Sequence, residues 1–459
     1  MEKSLGWKVK KEECDYLIKT PPLSSEEESI AIKVVAHFSD EAKEREFPSD
    51  AQAAEAISRI LGELLEGESL EADQDQSAYL ASVVLSHLRG YSFLDQLLLD
   101  PQVEEIACIG IGKPVYVYIR AQGWKRTNGY FTTQEHLVNL SNKIARQLGR
   151  RLSAQTPRLN AVLPDGSRLH ATIPPLSPCE LTIRKFTQTP LSAGELVNLC
   201  TGTAEAFAFL SLAMQSDSSI LIAGNTSSGK TTLLGALLSF VPVDERILLV
   251  EETPELRLFH PHVAHLLSSE EHGIGMQELI RDSLRMRPDR VIVGEVRMRE
   301  ECQAFMESVL SGQARGSYAT FHAQSAQEAF RRLASAGVAQ EDLPSIDFIV
   351  VQRRLARYDK KKRKMSEARR LVSISAIEKN SGRIVPLFEH SPKNDSLAMA
   401  KGAAAATLSL GERLHMGKKE IFDELAGRIS FMKGVSSKPP GFKEEFSRFQ
   451  KFAYGKGTK

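Results

Sequence analysis

Residues 224–231 read Gly224-Asn225-Thr226-Ser227-Ser228-Gly229-Lys230-Thr231 and form a complete G-x-x-x-x-G-K-[ST] phosphate-binding motif. The apolar segment Ser219–Ala223 before it predicts a strand, and residues 229–240 predict a helix. In that setting the two glycines let successive backbone N–H groups point at phosphate oxygens, and the helix N-terminus adds its dipole. A plain glycine turn would not need this strand and this helix. The motif therefore predicts a nucleotide site.

The residue types of the motif give its members separate roles. Lys230 is expected to reach the β- and γ-phosphates of ATP, and Thr231 is expected to bind Mg²⁺. ATP and Mg²⁺ are therefore the cofactors that the motif implies. The residues expected to contact the nucleotide are Gly224, Asn225, Thr226, Ser227, Ser228, Gly229, Lys230, Thr231 and Thr232.

Strand patterns and helix patterns alternate on the C-terminal side of the motif. Ile247–Val250 and Val291–Val293 are short apolar runs that predict strands, and Met276–Leu284 has helical spacing. Strands separated by helices are typical of right-handed β-α-β units. The sequence therefore predicts an α/β fold with a mostly parallel sheet around the motif.

The N-terminal half has a different texture, with helical spacing from Ile57 to Leu65 and a β-branched, aromatic run at Val115–Ile119. Asn160–Leu163 and Ser167–Ile173 flank a Pro-Asp-Gly turn and predict a hairpin. The predicted organisation is a polar, loosely structured extension over 1–50, an α/β domain over 51–187, a linker over 188–194, a phosphate-loop domain over 195–392 and a helical tail over 393–459.

The overall charge excludes several classes of protein. The 459 residues include 59 Lys+Arg and 58 Asp+Glu, which gives a net charge of +1. A chain so close to neutral has no overall positive charge that would attract nucleic acid or an anionic membrane. The five cysteines are scattered and predict reduced thiols. The N-terminus lacks the apolar segment of a signal peptide, and no apolar run is long enough to span a bilayer. Nucleic acid is thus an improbable partner, and membrane contact is expected only through partner proteins.

Acidic residues follow two of the predicted strands. Glu251 and Glu252 end the run beginning at Ile247, and Glu295 ends the run Arg290–Gly294. In an open parallel sheet the carboxyl ends of the strands line the ligand crevice. A carboxylate there can orient or deprotonate the attacking water, although acids in this position also occur in solvated turns. Gly294 stands where the usual second phosphate-loop motif has Asp. Glu295 is therefore expected to contact the coordination shell of Mg²⁺ or the attacking water indirectly.

Two further features leave more than one interpretation open. His322, in Thr320-Phe321-His322-Ala323, is a candidate catalytic residue, although a lone histidine is more often structural. The most basic run, residues 360–364, could face nucleic acid, a partner or a membrane headgroup. It has no interleaved aromatic residues for base stacking, which favours a solvated loop between strands.

Together and in this order, the motifs resemble the secretion-ATPase superfamily. That family drives type II secretion, type IV pili, archaella and tight-adherence pili (GspE-, PilB-, FlaI- and CpaF-like proteins) and includes conjugative-pore ATPases. The resemblance spans roughly residues 80–390 and is strongest to the archaeal branch. The segments that carry it are the phosphate loop, an Asp-box-like stretch at 250–256, a second nucleotide motif at 284–297, a His-box-like stretch at 316–323, two N-domain stretches at 163–168 and 182–186, and the 350–354 stretch.

The resemblance implies a RecA-like motor domain preceded by a PAS-like domain, assembled as a homo-hexamer with nucleotide between subunits. Arg168 and Arg184 match positions where the family places arginines that reach a neighbour's nucleotide; a solvated strand charge or a local ion pair is the alternative for each. Arg285, Arg287 or Arg297 could instead act within one subunit. The family also implies a polytopic membrane platform protein as partner and a location in the cytoplasm at the inner face of the membrane.

The sequence departs from the family pattern at three positions, with Glu252 where Asp is commoner, Gln313 where a histidine is usual and Met298 where glycine is usual. The function implied is a hexameric ATPase that drives filament assembly or secretion. A DNA-translocating motor and a nucleotide-gated scaffold that does not hydrolyse ATP are the alternatives. The catalytic candidates are Glu251, Glu252, Glu295 and His322, the nucleotide-binding candidates add Arg168 and Arg184 to the phosphate loop, and the metal candidates are Thr231 and Glu295.

Overall fold

The computed structural model describes residues 4–11, 13–20, 22–67, 72–119, 122–146, 151–163, 165–186, 190–269, 272–359 and 363–456. The chain divides into two compact units, residues 1–187 and 188–459. Each unit is built around its own sheet. No helix in the described ranges is both long and apolar enough to cross a membrane. The predicted domain boundaries, including the linker that partly lies outside the described residues, stay predictions.

The first unit is a seven-stranded sheet with helices, in the order β1-β4-β3-β2-β7-β6-β5. The described pairings between its named strands are antiparallel, and an isolated parallel bridge joins Tyr16 to Thr127. Burial alternates along β5, β6 and β7, so one face of the sheet joins the apolar sides of the helices in a single core. The elements are β1 Trp7–Val9, α1 Ser25–Glu44, α2 Asp50–Gly67, α3 Gln74–Leu88, α4 Leu94–Leu99, β2 Val103–Cys108, β3 Pro114–Ile119, β4 Gly123–Phe131, α5 Gln134–Arg146, β5 Arg158–Val162, β6 Arg168–Thr172 and β7 Glu180–Arg184.

The structure differs from the loose extension predicted over 1–50. Helix α1 occupies 20 of these residues, and its Ile30, Val34 and Phe38 belong to the core of the first unit. Ser24 and Glu27 form a reciprocal capping box at its start. Glu26, Glu27 and Glu28 lie in the first turn of the helix, where acids are stabilised by the helix dipole.

The second unit contains a nine-stranded mixed sheet in the order β10-β9-β11-β12-β8-β13-β14-β15-β16. The five pairings from β10 to β13 are parallel, as predicted, whereas the last three are antiparallel. The elements are α6 Ala193–Asn198, α7 Ala204–Gln215, β8 Ile220–Gly224, α8 Lys230–Leu238, β9 Ile247–Glu251, β10 Val263–Leu267, α9 Met276–Leu284, β11 Arg290–Val296, α10 Arg299–Leu310, β12 Gly316–Phe321, α11 Ala326–Ser335, β13 Phe348–Asp359, β14 Lys364–Ile377, β15 Ile384–Ser391, β16 Ser396–Met399, α12 Gly402–Arg413, α13 Lys418–Ser437 and α14 Phe442–Tyr454.

The central strands of this sheet are covered on both faces. Ile222 and Leu249 point into one apolar core, and their neighbours Leu221 and Val250 point into a second core on the opposite face. Burial on both faces explains why these strands are continuous apolar runs rather than alternating ones. The predicted helical tail begins with a strand, β16, before its helices. Residues 360–362 of the basic run lie outside the described residues, and its last residue, Lys364, begins β14.

Candidate nucleotide site

The phosphate loop connects β8 to α8 in the middle of the nine-stranded sheet. Strand β8 lies between β12 and β13 and is parallel to both. Ser227 and Gly229 adopt positive φ angles of 58° and 93°, which turn the loop back over the start of α8. The loop side chains Thr226 and Ser227 are exposed and Lys230 is buried. The fold therefore places the motif at the carboxyl edge of the parallel strands, as the sequence predicts.

The Lys230 side chain lies inside the loop. Its Nζ atom donates to the carbonyl oxygens of Gly224 at 3.3 Å and Asn225 at 3.4 Å, and it lies 3.9 Å from Glu295 Oε1. Only 7% of the side chain is exposed. The amine is therefore held at the loop by weak, long hydrogen bonds that a phosphate oxygen can replace.

Glu295 connects the second nucleotide motif to this lysine. Its Oε1 atom lies 2.6 Å from Nε2 of His322, and its Oε2 atom accepts a 2.8 Å hydrogen bond from Nε of Arg297. Arg297 also donates from Nη1 to Glu252 Oε2 at 2.8 Å. Three predicted candidates, Glu252, Glu295 and His322, thus form one cluster beside the phosphate loop, and Arg297 joins the two acids.

His322 is poised as a neutral hydrogen-bond donor. Burial and the nearby Lys230 lower the pKa of its imidazole below the ordinary value of 6.5, and Arg297 and Arg332 act in the same direction. The Glu295 carboxylate opposes this shift. At neutral pH the ring is therefore mostly uncharged, and its Nε2–H donates to Glu295.

Glu251 differs from the other acids because its carboxylate is fully engaged within the fold. The side chain is 2% exposed, and Oε1 accepts from the backbone N–H groups of Glu255 and Leu256, both at 3.1 Å. Its Oε2 lies 2.6 Å from Nε2 of His265. Glu251 therefore anchors the turn after β9, and the catalytic role that the sequence predicts for it gains no support from this position.

The presence of glycine at position 294, where the usual motif has Asp, has a steric explanation. A Cβ atom added to Gly294 would lie 2.9 Å from Cγ and 3.4 Å from Oε1 of Glu251. The carbonyl oxygen of Gly294 accepts a 2.7 Å hydrogen bond from Thr320 Oγ1, which fixes β11 against β12. Glu251 thus fills the space that a side chain at position 294 would need.

Arg168 and Arg184 lie in the first unit, on the neighbouring strands β6 and β7, directly opposite each other in the register. Arg184 is exposed and lies opposite Glu105 on β2. Burial raises the pKa of the Glu105 carboxyl, and the positive charge of Arg184 offsets part of that rise. Their predicted contact with a neighbouring subunit's nucleotide stays a prediction.

Three residues near the loop were not assigned from the sequence. Gln352 and Arg354 on β13 and Arg369 on β14 contact the phosphate loop, through Gly224, Asn225 and Ser227 respectively. They are more than 120 positions away along the chain, so spacing near the motif could not reveal them. The sequence feature that could have pointed to Gln352 and Arg354 is the 350–354 stretch, which forms part of the family resemblance.

The residues present fit a nucleotide with Mg²⁺. Ser228 Oγ and Gln352 Oε1 are buried beside the loop and have no hydrogen-bond partner among the described residues. Thr231 is half-buried at the start of α8, and Thr232 is exposed. No group of three or more His, Cys, Asp or Glu in the described ranges could hold a metal. Mg²⁺ is often bound by one or two protein groups together with phosphate oxygens and water.

A central parallel strand, a phosphate loop, a helix and an acid near the end of another parallel strand define the phosphate-loop class of α/β proteins. Residues 96–406 match the family model described as "Type II/IV secretion system protein". The chain therefore belongs to the type II/IV secretion ATPase superfamily, which confirms the resemblance drawn from its motifs.

Curated relatives come from archaea and bacteria. An uncharacterized protein of Methanocaldococcus jannaschii is 38% identical over 220 residues, covering 45% of this chain and 30% of that protein. The type IV secretion system protein VirB11 of Bartonella henselae is 31% identical over 295 residues, covering 55% of this chain and 80% of that protein. The matches span less than half the length of the first two curated relatives.

Solved structures also resemble the chain. The VirB11 ATPase of Brucella suis is 25% identical and covers 62% of this chain and 92% of its own, with a TM-score of 0.32. The pilus retraction motor PilT with bound ADP is 15% identical, and the match covers 78% of this chain and 95% of the PilT chain, with a TM-score of 0.48.

Proposed function

We propose that this chain is a hexameric ATPase that couples ATP hydrolysis to assembly of a type IV pilus- or archaellum-like filament, or to type II or IV secretion. The second unit would be a RecA-like motor and the first a PAS-like domain. The cluster of Lys230, Glu295, His322 and Arg297 beside the phosphate loop is the observation that carries the proposal. Family membership supports it.

The cluster explains how the chain's residues would divide the work. The Lys230 amine would exchange its long bonds to loop carbonyls for phosphate oxygens. The Glu295 carboxylate would orient the attacking water and accept its proton, with His322 and Arg297 holding the two oxygens in place. This arrangement supplies positioning and charge, on which phosphoryl transfer mainly depends.

Mg²⁺ would be held by the Thr231 hydroxyl, phosphate oxygens and water, with Glu295 at or next to its shell. When bound, the ion neutralises charge that develops on the phosphates. Lys230 and Thr231 are consecutive at the start of α8, so amine and hydroxyl can serve adjacent phosphate oxygens.

The remaining parts of the proposal concern assembly. In a homo-hexamer, Arg168 or Arg184 of one subunit would complete the site of the next, as arginine fingers do in other phosphate-loop enzymes. The partner would be a polytopic membrane protein of the same secretion or pilus system. The chain would act in the cytoplasm at the inner face of the membrane, in contact with it only through that partner.

The test compares Lys230→Ala with the wild type in ATP binding and steady-state hydrolysis. We expect loss of turnover, because the point charge on the β- and γ-phosphates is removed from a site where electrostatics dominates. Lys433→Ala is the matched control, since the exposed Lys433 side chain forms an ion pair with Glu205 on α7.

Unchanged hydrolysis by Lys230→Ala would exclude this site. ATP binding by the wild type without turnover would instead favour the nucleotide-gated scaffold, and stimulation of hydrolysis by DNA would favour the DNA-translocating motor.

A further inference from the structure

Strand β13 lies against the start of the phosphate loop, and its neighbour β14 contacts the loop at Ser227. Gln352 is opposite Gly224 in the parallel register with β8. Just beyond it, the Arg354 N–H donates to Asn225 Oδ1 at 3.1 Å, and Arg369 Nε donates to the Ser227 carbonyl at 3.1 Å. The loop is thus held by two strands that carry none of its motif residues.

Gln352 approaches both glycines of the motif. A Cβ atom added to Gly224 would lie 2.1 Å from the Gln352 carbonyl oxygen, and one added to Gly229 would lie 3.1 Å from its Nε2 atom. A backbone oxygen cannot move aside as a flexible side chain can. The need for glycine at position 224 therefore comes from β13 as well as from phosphate binding.

Two buried polar atoms at this contact have no hydrogen-bond partner within the described residues, namely Ser228 Oγ and Gln352 Oε1. Ser228 is 1% exposed and Gln352 is 2% exposed, so bulk water does not satisfy either atom. The Ser228 hydroxyl lies against the same glycine as Gln352, 2.6 Å from the Cβ position of Gly224. A hydroxyl donor and an amide acceptor are chemically complementary, and leaving each unpaired is costly.

We propose that Gln352 is a positioning residue for the phosphate loop, and that the Ser228 hydroxyl donates to Gln352 Oε1 in the nucleotide-bound loop. The inference rests on the proposed function and adds a residue to its nucleotide site. Filling the loop with phosphates draws its N–H groups inward, and the Ser228–Gln352 bond locks that arrangement to β13. In this proposal the Oε1 atom of Gln352 acts through the loop, because an acceptor cannot bind a phosphate oxygen directly.

A double-mutant cycle tests this pair, with Ser228→Ala, Gln352→Met and the double variant in the full chain. The dissociation constant of a fluorescent ATP analogue is the readout. We expect each single change to weaken binding about five- to tenfold, the range of one lost hydrogen bond. The double variant should be no weaker than the weaker single variant, because both changes remove the same bond.

A second measurement separates positioning from a structural role. Without nucleotide the single variants should unfold at the wild-type denaturant concentration or slightly higher, since each removes an unpaired buried atom. With saturating analogue their gain in stability should be smaller than that of the wild type. Gln450→Met is the control, because the Gln450 amide bonds to Ser239 O, Val241 O and Val243 N away from the loop. It should lower stability without changing the analogue's dissociation constant.

Effects of Ser228→Ala and Gln352→Met that multiply in the double variant would overturn the inference. So would wild-type affinity in Ser228→Ala, which stays decisive even if Gln352→Met does not fold. A wild-type chain that fails to bind the analogue would instead overturn the proposed function.

Discussion

Gly294→Ala should destabilise the second unit through its contact with Glu251. The added methyl group would meet Glu251 Cγ at 2.9 Å, Oε1 at 3.4 Å and Cβ at 3.5 Å. Glu251 cannot swing away freely, because it is 2% exposed and its carboxylate is bonded to two backbone N–H groups and to His265. The backbone of β11 and Glu251 would have to move apart together.

The size of the effect follows from those contacts. Inserting one carbon into a closely packed site costs about 1–3 kcal/mol. Glu251→Ala costs a similar amount by itself, since it leaves the N–H groups of Glu255 and Leu256 without their acceptor. In the double variant the new methyl group enters the space that Glu251 vacates. The double variant should therefore be more stable than the sum of the two costs predicts, by about 1–3 kcal/mol.

Denaturant unfolding followed by far-UV circular dichroism measures these costs. Both tryptophans, Trp7 and Trp124, lie in the first unit, so their fluorescence serves as an internal control that should stay unchanged. Gly434→Ala in α13 is the matched control, because no described residue beyond its chain neighbours and its own helix backbone lies within 4 Å of its Cβ position, and alanine favours a helix interior. A cost below about 0.5 kcal/mol for Gly294→Ala, or strict additivity in the double variant, would refute this explanation of the glycine.

Two further predictions concern catalysis. Burial and Lys230 lower the pKa of His322, so the fall in turnover on the acid side of the pH profile should be centred below pH 6.5. That fall should disappear in His322→Gln. A fall centred above pH 6.5 would contradict the assignment of His322 as a neutral hydrogen-bond donor. Arg184→Ala subunits and Lys230→Ala subunits should each be inactive but regain partial activity when mixed, since some interfaces then pair an intact finger with an intact loop. Mixed oligomers without activity would argue against sharing of the site between subunits, and Arg168→Ala tests the other candidate.

Local patterns in the sequence were sufficient for the centre of the fold. The motif at 224–231 required a strand before it and a helix after it, and β8 and α8 occupy those places. The Asn160–Ile173 pattern gave the β5–β6 hairpin because Asp165 and Gly166 encode the turn chemically. Glu295 and His322 meet because each ends or follows a parallel strand at the same edge of the sheet.

Contacts between distant segments could not be predicted in this way. Nothing near Gly294 indicates that the Glu251 side chain fills its space, and nothing near Ser228 indicates that Gln352 lies beside it. The loose extension predicted over 1–50 was wrong at α1, because a capped first turn and a loosely structured polar segment have the same composition. The antiparallel strands β15 and β16 were not predicted, because the alternation of strands and helices stops after β13.

Glu295→Gln tests the central claim most directly, because it keeps the shape of the side chain and removes its charge. ATP affinity and turnover should be measured in the same preparation of this variant. We expect binding close to that of the wild type and turnover lower by about 10²-fold or more, the scale of losing a catalytic base or a key charge. Turnover at the wild-type rate, or loss of binding together with turnover, would contradict the assignment of Glu295 to chemistry at the phosphate loop.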